Sequence, residues 1–376
     1  MHDDFEKDLR DLAGRGRLRS LRERSGIDFT SNDYLGLAES DELSKAAADA
    51  IARGVPVGSG GSRLLRGNHS EHEALESEAA AYFGAETALY FGGGYVANFA
   101  IFSTLPQRGD LIVHDELVHA SVHEGLRRGR ADYVSAPHND VDAFDAAIVR
   151  WRNSGGKGRP WISVESLYSM DGDSPNLDEL FAVADRHGAM IVIDEAHATG
   201  VLGPEGRGLA AAFEGRDNVL TLHTCGKALG TVGGFIVGPK VIRDFLVNRA
   251  RPFIFATAPS PLIAAVTRAS LRLSRTDSTR RERLARLVEF AGSELRQRCN
   301  IEPSGSHILP VVIGADQAAV ALAAALQRRG FDIRAIRPPT VAEGTARLRI
   351  ALTLNVNETA VAELFATLSD EMRAAA

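Results

Sequence analysis

With 376 residues, 44% of them apolar and 24% charged, the chain is long enough to bury a sizeable core and has the composition of an ordinary globular protein. A formal charge of -6 argues against a nucleic-acid partner, and Arg15, Arg17, Arg19, Arg22 and Arg24 are interleaved with Gly, Leu and Ser, as on a solvated helix face. Cys225 and Cys299 alone cannot make a disulfide framework or a multi-Cys zinc site. The acidic start MHDDFEKDLRDL is unlike a targeting peptide, and apolar runs such as residues 318–326 are too short to cross a bilayer. A cytoplasmic enzyme with no membrane or nucleic-acid partner and no metal is the expectation.

In chain order, residues 3–24 read as a polar helix, followed by a strand-like IDFT and the turn-rich SNDYLG. From about residue 70 a rhythm begins: helical EHEALESEAAAYFG, short TALYF, then GGGYVANFAIFSTL with helical spacing. DLIVHD, the helical HASVHEGLRRG, ADYVSAPH, a helix near 140–152, WISVES, LDELFAVADRHG and MIVID follow, then NVLTLHT, GGFIVG and helical VIRDFLVNRA. Short apolar runs alternating with helices indicate an α/β fold with a mainly parallel central sheet flanked by helices. MIVID is apolar on both faces, as a strand covered from both sides must be. From roughly 261 the pattern changes to a long helical stretch (261–298), IEPSGSHILPVVIG, a helix at 316–329, FDIRAI, ARLRIALTL and a final helix. The expected organisation is an N-terminal helical and turn segment (1–40), a large domain (41–265) and a smaller C-terminal α+β domain (266–376).

Several chemistry-bearing residues fall just after strands. In FGGGYVAN, three glycines end a strand and open a helix, so backbone N–H groups can approach an anion near Gly94 and Tyr95; a plain tight turn reads equally well, and the stretch does not match GxGxxG. Asp194 closes MIVID and His197 follows three residues later; a capping Asp beside a surface His is the competing reading. Lys227, in HTCGKALGTVGG, lies among small residues after VLTL, where desolvation would free its amine to attack a carbonyl; a snorkelling lysine is the alternative. His119 opens HASVHEG and offers a flat ring for stacking. Asp171 and Asp173, in ESLYSMDGD, read as turn formers. Taken together, an anion cradle, a ring, a carboxylate with a histidine and a lysine stand at successive strand ends of one sheet, the set that pyridoxal 5'-phosphate (PLP) needs.

The motifs SNDYLGL, GSGGSRLLRGNH, HASVHEG, ESLYSMDGD, DEAHATG, TCGKALG, FIFATAP and IRPPTVAEGTARLR run in order along nearly the whole chain. In this series the sequence resembles the α-oxoamine synthases, PLP-dependent acyltransferases of fold type I. The resemblance implies that Lys227 is the Schiff-base lysine and later the base, and that Asp194 pairs with the pyridinium nitrogen. It places His197 and Ser169 on the ring hydroxyl, His119 on the pyridine face, and Gly94, Tyr95 and Thr224 on the phosphate. Thr257 reaches the phosphate of a neighbouring subunit, since family members are homodimers. Asn32, Thr340 and Arg349 bind substrate, Arg349 gripping the amino-acid carboxylate, and Arg19 contacts the acyl substrate. Gly93, Ala198 and Ala342 depart from the usual family residues without removing a group that the chemistry needs. IRPPTVAEGTARLR points within the family to the member that joins L-alanine to pimeloyl-CoA or a pimeloyl-acyl carrier protein; 2-amino-3-ketobutyrate CoA ligase, using glycine and acetyl-CoA, is the alternative. A non-catalytic partner subunit would lack the lysine, and a nicotinamide oxidoreductase would carry GxGxxG.

Overall fold

A computed structural model describes residues 2–375. Its elements, in chain order, are α1 (Asp3–Gly14), β1 (Ile27–Asp28), α2 (Asp41–Ala52), α3 (Ser70–Phe83), β2 (Thr87–Phe91), α4 (Gly94–Thr104), β3 (Leu111–Asp115), α5 (Ala120–Arg128) and β4 (Asp132–Ala136). They continue with α6 (Val141–Asn153), β5 (Pro160–Glu165), α7 (Leu177–His187), β6 (Met190–Asp194), β7 (Val219–Thr224), β8 (Gly234–Gly238), α8 (Lys240–Arg249), α9 (Arg251–Ile254) and α10 (Pro261–Thr276). The last are α11 (Ser278–Cys299), β9 (Ile308–Gly314), α12 (Asp316–Arg328), β10 (Phe331–Asp332), β11 (Ala335–Ile336), β12 (Ala346–Ala351) and α13 (Glu358–Ala375). The chain divides into two compact units, one of Leu35–Tyr168 with Ser174–Arg281, the other of the residues up to Tyr34, Ser169–Asp173 and those from Glu282 onward.

The larger unit is built on a seven-stranded sheet of order β2-β8-β7-β6-β5-β3-β4. Only β8 runs against its neighbours, β2 and β7; the other pairings are parallel. The alternation of side chains along a strand explains why MIVID is apolar throughout. Met190 and Val192 of β6 join Ala97, Phe102, Val122, Leu126 and Phe253 in one core layer. Ile191 and Ile193 join Phe144, Ile148, Leu180 and Phe181 in the other. With helices on both faces, the open ends of the strands are where ligands enter such a sheet.

The smaller unit carries the antiparallel sheet β11-β12-β9 and the parallel pair β1 with β10, where Ile27 faces Phe331 and Asp28 faces Asp332. The first 34 residues thus join strands some 300 positions later. The single polar helix expected over residues 3–24 is shorter in the structure: α1 stops at Gly14, and Gly16, at φ +67°, turns the chain where a side chain would be strained. The irregular stretch that follows is held by Arg17, whose Nε donates to Asp316 Oδ2 at 2.6 Å. The long helix expected over 261–298 is two, broken at Asp277, whose side chain accepts the Thr279 N–H at 3.0 Å. Among the described residues no helix is long and apolar enough to cross a membrane.

Candidate active site

In the larger unit, β2 ends at Phe91 and α4 begins at Gly94, with no acidic residue in its first turn. The first amides of a helix have no intrahelical acceptor and favour an anion. A Cβ on Gly94 would sit 3.4 Å from Thr224 Oγ1, and one on Gly234 would sit 2.9 Å from the Gly94 nitrogen. Glycine at 234 therefore lets the helix start lie against the sheet, with the Thr224 hydroxyl beside Gly94.

Asp194 ends β6 and is buried. Its Oδ2 accepts Asn98 Nδ2 at 2.7 Å and its Oδ1 accepts the Ala196 N–H at 2.9 Å. Such partners keep a carboxylate tolerable at the end of an apolar strand. The Glu195 side chain points the other way, into the core. It takes hydrogen bonds from Ser166 Oγ and the amides of Leu209 and Ala210, and burial pushes its carboxyl above the usual range. His197, three residues past Asp194, lies 2.7 Å through Nε2 from Lys227 Nζ. That contact joins the turns after β6 and β7.

His119 caps α5: its Nδ1 accepts the Ser121 N–H at 3.2 Å and lies 2.7 Å from Ser121 Oγ. The Tyr95 ring meets it edge-on, with centroids 6.3 Å apart. Burial pushes the imidazole below its usual 6.5; the Asp194 charge opposes this and Lys227 reinforces it. Burial likewise depresses His72, His114 and His123. A base whose folded pKa is depressed contributes stability that is present above the unfolded value and lost as pH falls through the folded one. These four histidines are therefore expected to make the apo-protein lose stability on acidification below about pH 6.5, against the opposite contribution of the raised carboxyl of Glu195. Denaturant titrations at pH 7.5 and 5.5 check this; equal midpoints would contradict it.

In the smaller unit, Arg349 lies on β12 and is buried, unlike an outward-facing strand residue. Its Nε donates to the Ser169 carbonyl at 2.5 Å and its Nη2 to Tyr34 Oη at 3.3 Å; the Tyr34 hydroxyl donates to Asn32 Oδ1 at 2.9 Å. Arg349, Ser169 and Asn32 are thus brought together through a tyrosine that sequence reading passed over. Tyr34 is fully buried against His307, ring centroids 4.1 Å apart, and burial raises its phenol pKa against the pull of Arg349. Asp171, read as a turn former, is also the ion-pair partner of Arg347. Thr340 and Arg19 are exposed, as is Thr257 in the larger unit.

Asn98 and Ser121 were also missed. The only signal was a polar residue inside the apolar run YVANFAIF, which does not announce its partner. The larger unit's donor set fits PLP: an amide-lined helix start with a hydroxyl for a phosphate, a buried carboxylate for a basic ring nitrogen, an imidazole, and a primary amine for an aldehyde.

The chain matches the family described as aminotransferase class I and II over residues 24–368, and it belongs to that family as a PLP-dependent acyltransferase of fold type I. Among its relatives are proteins named 8-amino-7-oxononanoate synthase. That of Anaeromyxobacter dehalogenans is 43% identical over 332 residues, 88% of this chain and 82% of the relative. That of Burkholderia thailandensis is 43% identical over 366 residues, 95% and 91% of the two chains. Among solved structures, serine palmitoyltransferase from S. paucimobilis with PLP and myriocin superposes with a TM-score of 0.90 at 27% identity, covering 99% and 98% of the chains. An 8-amino-7-oxononanoate synthase from Francisella tularensis gives 0.78 at 26%, covering 94% and 99%.

Proposed function

We propose that this enzyme condenses L-alanine with a pimeloyl thioester, carried by CoA or an acyl carrier protein, giving 8-amino-7-oxononanoate for biotin synthesis. The observation that carries this reading is 43% identity, over most of the chain, to relatives bearing that enzyme's name. In the overall reaction a carbon–carbon bond forms between the alanine α-carbon and the acyl carbon, the thiol leaves, and the carboxylate departs as CO2.

We assign the PLP phosphate to the first amides of α4 at Gly94 and Tyr95 and to the Thr224 hydroxyl, with Thr257 reaching that of a second copy in a homodimer. Asp194 takes the ring nitrogen, His119 the ring face, and His197 and Ser169 the ring hydroxyl. When bound, PLP supplies an electron sink for the pair left on the amino acid's α-carbon. Lys227 Nζ removes the α-proton and later returns a proton. Its contact with His197 keeps the amine pointed into the site rather than swinging in water. The Asp194 carboxylate, fixed by Asn98 and the Ala196 amide, holds the proton on the ring nitrogen where charge develops. Arg349 grips the alanine carboxylate, aided by Asn32 and Thr340, while Arg19 meets the acyl chain.

Replacing Arg349 by lysine is expected to raise the KM for L-alanine by roughly 10- to 100-fold, because a single ammonium cannot reproduce a bidentate fork. Initial rates against alanine concentration test this; an unchanged KM would remove Arg349 from the carboxylate site. The reaction itself is tested by thiol release from the PLP-loaded protein with L-alanine and pimeloyl-CoA or pimeloyl-acyl carrier protein. Glycine with acetyl-CoA and L-serine with palmitoyl-CoA are the comparisons. Release with alanine and either pimeloyl donor supports the reading, and faster release with another pair would move the enzyme to a sister activity.

A further inference from the structure

We infer that Asn98 is a positioning residue that sets the Asp194 carboxylate and the His119 ring through one side-chain amide. The inference rests on the reading that those two residues meet the cofactor. Asn98 sits in the second turn of α4 and is buried at 2% exposure. Its Nδ2 donates to Asp194 Oδ2 at 2.7 Å and to Ser121 Oγ at 3.1 Å; Ser121 Oγ lies 2.7 Å from His119 Nδ1.

The hydrogens along this chain can run only one way. The Asp194 carboxylate only accepts, so the Asn98 NH2 group, not its oxygen, faces it. The Ser121 backbone N–H points at His119 Nδ1, so that nitrogen carries a lone pair and the proton of the neutral ring is on Nε2. Ser121 Oγ then accepts from Asn98 and donates to Nδ1. A single amide thus fixes the rotamer of a carboxylate and orients the hydroxyl that donates to the imidazole. It sits one turn from the helix start assigned to the phosphate, so one helix carries both those amides and the side chain that positions the other two groups.

Apolar packing alone does not account for this residue. Asn98 Oδ1 is buried with no hydrogen-bond partner among the described residues, and such a group is unfavourable against an apolar side chain of similar shape. A residue selected only for packing in YVANFAIF would be apolar like its neighbours.

The test uses apo-protein of the wild type, Asn98→Leu and, as control, Asp194→Asn. Three quantities are measured: PLP affinity, the pH dependence of the bound cofactor's visible absorption, and the apo-protein melting temperature. Asn98→Leu is expected to weaken PLP binding by roughly 10- to 100-fold, the worth of a charged hydrogen bond. It should also displace the pH midpoint of the absorption; the apo melting temperature is expected to fall because the buried Asp194 carboxylate and Ser121 hydroxyl lose a donor, so affinity and midpoint are the deciding readouts. Unchanged affinity and midpoint in Asn98→Leu, with both altered in Asp194→Asn, would overturn the inference and leave the assignment of Asp194 standing. If Asp194→Asn also changed neither, the assignment itself would fail and the inference with it. Should Asn98→Leu not fold, Asn98→Asp replaces it: a second carboxylate beside Asp194 should weaken PLP binding more at pH 8 than at pH 5.5, and equal loss at both would overturn the inference. Ser121→Ala tests the other arm: it keeps the backbone N–H to His119 Nδ1 but removes the hydroxyl, so the Nδ1 15N shift is expected to move while the ring stays Nε2–H, and an unchanged Nδ1 shift would remove Ser121 from the relay.

Discussion

Lys227→Ala is expected to lower kcat by roughly 1,000-fold or more, with a protein that still folds. The reason lies in where the amine is held. Lys227 sits in the tight turn after β7, where the Gly230 N–H donates to the Lys227 carbonyl at 2.9 Å and the Thr231 N–H to the Cys225 carbonyl at 2.9 Å. These backbone bonds do not involve the side chain, so truncation leaves the turn intact. What disappears is the amine 2.7 Å from His197 Nε2, the only primary amine that the proposed mechanism uses. Lys227→Arg is expected to be equally inactive, since a guanidinium stays protonated at any working pH and can neither bond to an aldehyde nor accept a proton. Thiol release under saturating substrates measures both variants, with circular dichroism as the check on folding. Substantial turnover by either variant would take Lys227 out of the chemistry.

Asp194→Asn is expected to cost roughly 100- to 1,000-fold in kcat, the scale of losing one preorganised electrostatic partner in a desolvated site. The substitution is isosteric and keeps a polar group at the end of β6, so the packing of Met190, Val192, Ile191 and Ile193 in the two core layers is untouched. The change is one of charge: a neutral amide cannot hold a proton on a ring nitrogen as a carboxylate does. The amide must also choose between offering its oxygen to Asn98 Nδ2 and to the Ala196 N–H, because it has only one where the carboxylate has two. Steady-state rates over a range of pH measure the loss, and a rate equal to wild type would contradict the role.

The sites divide into a part that local sequence carries and a part that it does not. The strand-end placement of Asp194 and Lys227 was legible because each follows an apolar strand of a recognisable α/β rhythm. Arg349 was not legible in that way. Within ARLRIALTL its alternation suits an outward-facing residue as well as an inward one, and only the ordered motifs around it pointed to a role. In the structure it is buried against Tyr34 and the Ser169 carbonyl. The two helices of 261–299 looked like one because Asp277 is a modest helix former, and the break depends on its side chain capturing the Thr279 amide.

The amino-acid sequence by itself determined the alternation of strands and helices, the mainly parallel sheet, and which residue types stand at the strand ends, because periodicity and turn chemistry act over a few positions. Tertiary structure decided the partners. Asn98 meets Asp194 across 96 positions and Arg349 meets Tyr34 across 315. Residues 27 and 28 pair in register with 331 and 332, so the N-terminal stretch belongs to the same compact unit as the C-terminal strands. Hydrogen bonds of that reach depend on how whole elements pack, and no local pattern encodes which buried donor will find which acceptor.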